Sequence, residues 1–119
     1  MLPHAGYVFS GKTAGKTLSY AKIKKNVIIL GPNHTGIGTN FSVWHEGRWD
    51  LPLGYLDVNN ELSNRLLENI QELVPDFSGH LREHSLEVII PFFVENRFRD
   101  KDSANIHYGT KVRKIDPSW

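Results

Sequence analysis

The stretch Asn26-Val27-Ile28-Ile29-Leu30-Gly31-Pro32-Asn33-His34 constrains the fold more than any other, because four apolar residues in a row end in an abrupt stop. A short uninterrupted apolar run rich in β-branched residues, bounded by Asn26 and by Gly31-Pro32, predicts a strand buried on both faces of a sheet. Pro32 has no N–H to give a ladder, so the chain must leave the sheet at the strand's carboxyl end. Open α/β sheets hold their ligands at that edge, and His34 stands there.

Helical periods flank this strand. Ser10 is placed to cap a helix over residues 12–22, in which Ala14, Leu18 and Ala21 share one face. Lys22-Ile23-Lys24-Lys25 then falls in the last turn, where cations suit the helix dipole. Leu62, Leu66, Ile70 and Leu73, with Leu67 beside them, predict a second helix over 59–73 whose apolar stripe is core. Leu86, Ile89, Ile90, Phe93 and Val94 repeat the spacing, and Pro91 among them should kink or end that helix. Between these, Phe41 to Trp44 and Arg48 to Leu51 read as two strands of a hairpin around Glu46-Gly47. Residues 105–119 show no clear period.

Composition narrows the function classes. Apolar residues make up 39% of the 119 and charged ones 23%, enough core-formers for one folded domain rather than a disordered chain. No cysteine is present, which excludes a disulfide framework, a thiolate metal site and a cysteine nucleophile within this chain. A net charge of +1 with dispersed basic residues argues against a nucleic-acid partner. No apolar stretch reaches membrane-spanning length, and Met1-Leu2-Pro3-His4 lacks a signal-peptide layout, so a cytoplasmic protein with no membrane partner is expected.

Histidine is the residue that suggests chemistry. Of six, His4, His34 and His84 lie in loop or helix-start contexts, and neutral imidazole is the commonest metal ligand as well as an acid and base near neutral pH. Spacing does not show whether they converge; the alternative is that each hydrogen-bonds backbone at a turn. Only His80 and His84 lie four apart, and His45 and His107 read as surface residues. Glu83 and Glu87 flank His84, where either could orient its ring or serve as a helix cap. Gly6-Tyr7-Val8-Phe9-Ser10-Gly11-Lys12-Thr13 fits the P-loop pattern letter for letter. The bulky Tyr7, Val8 and Phe9, and the absence of a preceding strand, make a nucleotide binder the weaker reading.

Pro3-His4-Ala5-Gly6-Tyr7, then Leu30-Gly31-Pro32-Asn33-His34-Thr35-Gly36, then Glu83-His84-Ser85-Leu86-Glu87-Val88 with Pro91-Phe92, resemble three successive signatures of the Memo family. The resemblance implies a partial α/β sandwich of the class III extradiol dioxygenase (LigB-like) type, with residues 3–95 forming the α/β domain and 96–119 a divergent tail. By position it implies that His4 and His34 match metal-ligand histidines of the related dioxygenases and that His84 lines the pocket or supports it; Asn33 and Glu83, beside His34 and His84, are further candidates to line or support that pocket. The implied cofactor is Fe(II) or another divalent metal, and the implied partner is a small molecule or a peptide. Family members are longer and carry further pocket residues, so the chain reads as a truncated or frameshifted N-terminal part, whose exposed apolar surface would favour dimerisation or poor solubility. Two neutral histidines alone make a weak site, which predicts poor metal affinity and no robust turnover. The rival function is a non-enzymatic module that receives a peptide in the same pocket.

Overall fold

The computed structural model describes residues 1–52, 54–99 and 107–113, with side chains up to Glu95. It is a mixed α/β chain. Among the described residues six strands, β1 (Asn26–Pro32), β2 (Phe41–Trp44), β3 (Arg48–Leu51), β4 (Gly54–Val58), β5 (Val74–Pro75) and β6 (His107–Arg113), form one sheet, and three α-helices, α1 (Lys12–Ser19), α2 (Asn60–Asn69) and α3 (Ile90–Arg99), accompany it. The central strand is β6. Its whole length pairs in parallel with β1, from Asn26↔His107 to Pro32↔Arg113. Its other edge takes β4 in parallel at Asp57↔His107 and then β2 antiparallel from Trp44↔Thr110 to Phe41↔Arg113.

Strand β1 forms where the sequence predicts it, but it is not buried on both faces. Val27 and Ile29 turn inward while Ile28 and Leu30 are 45% and 67% exposed. The cause is position, since among the described residues β1 pairs only with β6 and stands at the sheet edge. The predicted hairpin is corrected in the same way: β2 and β3 exist, but β2 lies between β6 and β5, and β3 pairs with β4 from Arg48↔Asp57 to Leu51↔Gly54. β3 turns back onto β4 beyond Leu51, whereas the bend at Glu46-Gly47 separates β2 from β3.

Helix α1 stops at Ser19, with Ala14 and Leu18 buried and Ala21 exposed, so the lysine cluster lies in the link to β1 rather than in a last helical turn. Ser10 does not cap it. A π-helical turn over Tyr7–Gly11 runs straight into α1, and the Ser10 hydroxyl donates instead to the Ala5 carbonyl at 2.8 Å. The N–H groups of Phe9 and Ser10 bond back to the Gly6 carbonyl, which leaves no phosphate-cradling loop in this stretch. Helix α2 is shorter than its apolar stripe suggests; Asn59 caps it by accepting from the Leu62 N–H at 2.9 Å. Leu73 is buried just beyond it.

Pro91 neither kinks nor ends α3 but sits in its first turn, where an N–H has no intrahelical partner to lose. The apolar residues spaced around it form core. Leu56, Ile89, Ile90, Phe93 and Val94 pack with Ala14 and Leu18, with half-buried Val27 and Ile29 of β1 against them. Each large side chain so buried contributes about 1.5–3 kcal/mol. No helix among the described residues is long and apolar enough to cross a membrane. The predicted surface position of the His107 side chain, and residues 100–106 and 114–119 of the tail, lie outside the described residues.

Candidate metal centre

Three loops meet beside the carboxyl end of β1, and each is fixed by its own hydrogen bonds. The first, carrying His4, is held by Ser10 on the Ala5 carbonyl. The second follows β1. Asn33 is buried, and its Oδ1 accepts from the Thr35 N–H, the Thr35 hydroxyl and the Gly36 N–H at 3.1, 2.8 and 3.1 Å, while its amide donates to the Ile37 carbonyl. Such an Asx turn uses up the side chain inside the loop, so Asn33 shapes the loop that presents His34 and does not line the pocket.

The same loop closes on Asp76. Its carboxylate accepts from the Ser78 hydroxyl at 2.6 Å and from the Thr39 N–H at 2.8 Å, which lowers its pKa despite partial desolvation. Gly38 holds a φ of +85°, and a Cβ there would lie 2.5 Å from Asp76 Oδ2 and 2.8 Å from the Gly79 backbone nitrogen. Gly38→Ala is therefore expected to cost about 1–3 kcal/mol from the strained backbone and the clash. Thermal melting measures it, and an unchanged midpoint would refute the tight packing of this loop.

The third loop, Glu83-His84-Ser85, rests on the end of β1. The Ser85 hydroxyl donates to the Pro32 carbonyl at 3.0 Å. Gly31 permits the contact, since a Cβ there would come within 2.5 Å of Leu86 Cδ2 and 3.0 Å of Ser85 Oγ.

The three histidines converge. Ring centres lie 5.3 Å apart for His4 and His34, 6.1 Å for His4 and His84, and 5.0 Å for His34 and His84. Imidazoles on one tetrahedral ion, with metal–nitrogen bonds of about 2.0–2.1 Å, would hold their ring centres roughly 5 Å apart, a spacing close to that of His34 with His84 and with His4. Beneath them lies Glu83, 3% exposed. It accepts from the His34 N–H and, at 2.9 Å, from the Ser85 N–H, and His34 Nδ1 lies 2.9 Å from its Oε1 within hydrogen-bond distance. Burial alone would push this carboxyl up, but those donors outweigh it and hold the pKa at about 2.

Donor atoms of His34, Glu83 and His84 all fall within 4.8 Å of one another, enough for these three to hold an ion. The His4 ring stands beside this trio, its centre 5.3 Å from that of His34 and 6.1 Å from that of His84. The flanking carboxylate that the sequence offers to His84 thus bonds His34 instead, with His84 Nδ1 at 3.6 Å, and Glu87 is exposed. A cavity of about 1120 Å³ opens beside the cluster; His4 and His84 line it, His34 does not, and its walls are apolar, with Leu30, Leu86 and Phe93 among them.

The remaining described histidines stand elsewhere. His80 is buried with Nε2 3.2 Å from the Ser42 hydroxyl. His45 is not a free surface residue, since its ring stacks on Phe77 at 4.8 Å with only 24% of the side chain exposed.

Fold and site together define an α/β protein with a histidine cluster at a sheet edge, able to hold a metal ion. A family model described as Memo-like protein matches residues 1–106. The chain is 44% identical over 95 residues to a MEMO1 family protein of Sulfolobus acidocaldarius, covering 77% of this chain and 34% of that one. It is 46% identical over 93 residues to one of Thermotoga petrophila, covering 76% and 34%. A third, from Methanobrevibacter smithii, is 42% identical over 106 residues, covering 83% and 37%. The chain belongs to the Memo-like family, and it spans about a third of the length of these curated relatives.

Proposed function

We propose that the chain forms the histidine pocket of an α/β sandwich of the class III extradiol dioxygenase type, and that His4, His34 and His84 together bind a divalent metal, iron(II) in its working state. The observation that carries this reading is the meeting of three imidazoles within 5.0–6.1 Å of one another from three separate loops. His84 is as near to His34 as His4 is, so it counts as a third ligand, which supports firmer binding than two histidines would give. When bound, such an ion supplies a Lewis acid with open positions for an oxygen donor. The residues themselves set the rest: the Asn33 turn and the Ser85–Pro32 bond hold two of the ligand loops, and Glu83 holds His34.

The ligand class follows from the walls. Apolar side chains of β1 and of the segment entering α3 surround the cavity, while His4 and His84 stand at its border. This suits a small molecule with an apolar body and one oxygen or nitrogen head aimed at the imidazoles.

Anaerobic calorimetry with Fe(II), and with Zn(II) as a redox-inert probe, tests the reading. One ion per chain is expected, weakened tenfold or more by His34→Ala while the far-ultraviolet circular dichroism stays unchanged. No binding, or binding indifferent to His34→Ala, overturns it. A metal-free chain that instead retains an aromatic peptide would favour the interaction-module alternative.

A further inference from the structure

We propose that Glu83 is a positioning residue of this site: its buried carboxylate fixes the His34 ring with the proton on Nδ1, leaving Nε2 as the atom that meets the ion. The inference rests on the metal reading above and names the group that orients one of its ligands.

The geometry is that of a clamp. One oxygen of Glu83 accepts from the backbone N–H of His34, and the other lies 2.9 Å from Nδ1 of the same residue, so main chain and ring are held together. The Ser85 N–H, at 2.9 Å from Oε1, fixes the carboxylate in turn. An ionised carboxylate only accepts, so the nitrogen facing it must carry the hydrogen and the far nitrogen its lone pair. Exposure agrees: 2% of the Glu83 side chain is accessible against 46% of the His34 side chain, which sets the clamp inside and the ring outside. His84 Nδ1 lies 3.6 Å from the same oxygen, too far for a hydrogen bond, so the tautomer fixed is that of His34 and not of His84. A carboxylate behind a ligand imidazole holds its orientation and raises its basicity, and losing such a partner typically weakens metal binding about 10–100-fold.

Long-range ¹H–¹⁵N spectra of the whole chain, labelled at histidine and free of metal, read the tautomer directly, and Zn(II) titration reads its consequence. Wild type should show His34 with the hydrogen on Nδ1. In Glu83→Gln, which keeps the shape but cannot accept at both oxygens, His34 should lose that single form and Zn(II) should bind about 10–100-fold more weakly. Glu83→Asp, one methylene short, should fall between the two. An Nε2–H form in wild type overturns the proposal, as does a folded Glu83→Gln chain that keeps the wild-type tautomer or binds Zn(II) as tightly. If Glu83→Gln does not fold, the wild-type spectrum alone decides. Should wild type bind no Zn(II), the metal reading fails, while the tautomer still tests the clamp separately.

Discussion

Phe93→Ala is expected to lower the unfolding free energy by about 3–5 kcal/mol, a large share of the roughly 5–15 kcal/mol that holds a domain of this size together. Phe93 is 5% exposed and packs in the cluster that joins α1, β4 and α3, with Ala14, Leu18, Leu56, Ile90 and Val94 as neighbours. Removing its ring loses the transfer energy of the buried atoms and leaves a void that helices anchored on both sides cannot close. The same ring forms part of the cavity wall beside Leu86, whose loop presents His84, so the damage should extend to the ligand pocket. Urea unfolding at matched slope measures the effect. Val8→Ala, at a side chain 95% exposed, is the comparison and should stay within about 0.5 kcal/mol. A Phe93→Ala loss under about 1 kcal/mol would mean that the core is not where this packing puts it.

The strand at Val27 and the apolar spacing of Leu86 to Val94 were legible because period and turn residues agree there with what the fold uses. Whether β1 is covered on both faces was not, since four consecutive apolar residues carry no information about which neighbours a strand has. Pairing failed for a related reason: β2 and β3 each alternate plausibly, yet β2 pairs with β6, which enters from far along the chain, and β3 is left to turn back onto β4. A signal for β6 does exist in the alternation of Tyr108, Thr110 and Val112 with polar residues. At the site, the three histidines could be named from their loops, but not their meeting or the reach of Glu83 across to His34, because no local spacing encodes contacts between segments this distant. His45 misled because polar neighbours in sequence say nothing of the Phe77 ring on which it stacks.

Acid should destabilise this chain earlier than carboxylates alone would allow, beginning near pH 6.5. Burial lowers the His80 pKa from 6.5 to about 4, against the opposing pull of Asp76 and Glu83, because its imidazole lies 4% exposed between Ser42 and the edge of Trp44. Between those two values the unfolded chain binds a proton that the folded chain refuses, so stability is full above pH 6.5 and falls as the pH drops toward 4. At about 1.4 kcal/mol per unit the whole window is worth about 3 kcal/mol. Glu83 then takes over with the same sign: its folded pKa of about 2 lies below the ordinary 4.5, so its hydrogen bonds to His34 and Ser85 stabilise the fold above that value and are lost as it protonates. Two buried groups with adjoining windows give one continuous decline, and a single substitution separates them. His80→Gln keeps a polar partner for the Ser42 hydroxyl but cannot titrate, so urea unfolding across this range should show the variant losing about 3 kcal/mol less than wild type between pH 6.5 and 4 while the decline below 4.5 persists. Parallel curves for the two proteins would show that His80 is hydrated rather than buried, and would dissolve the packing of Trp44 and Ser42 against it.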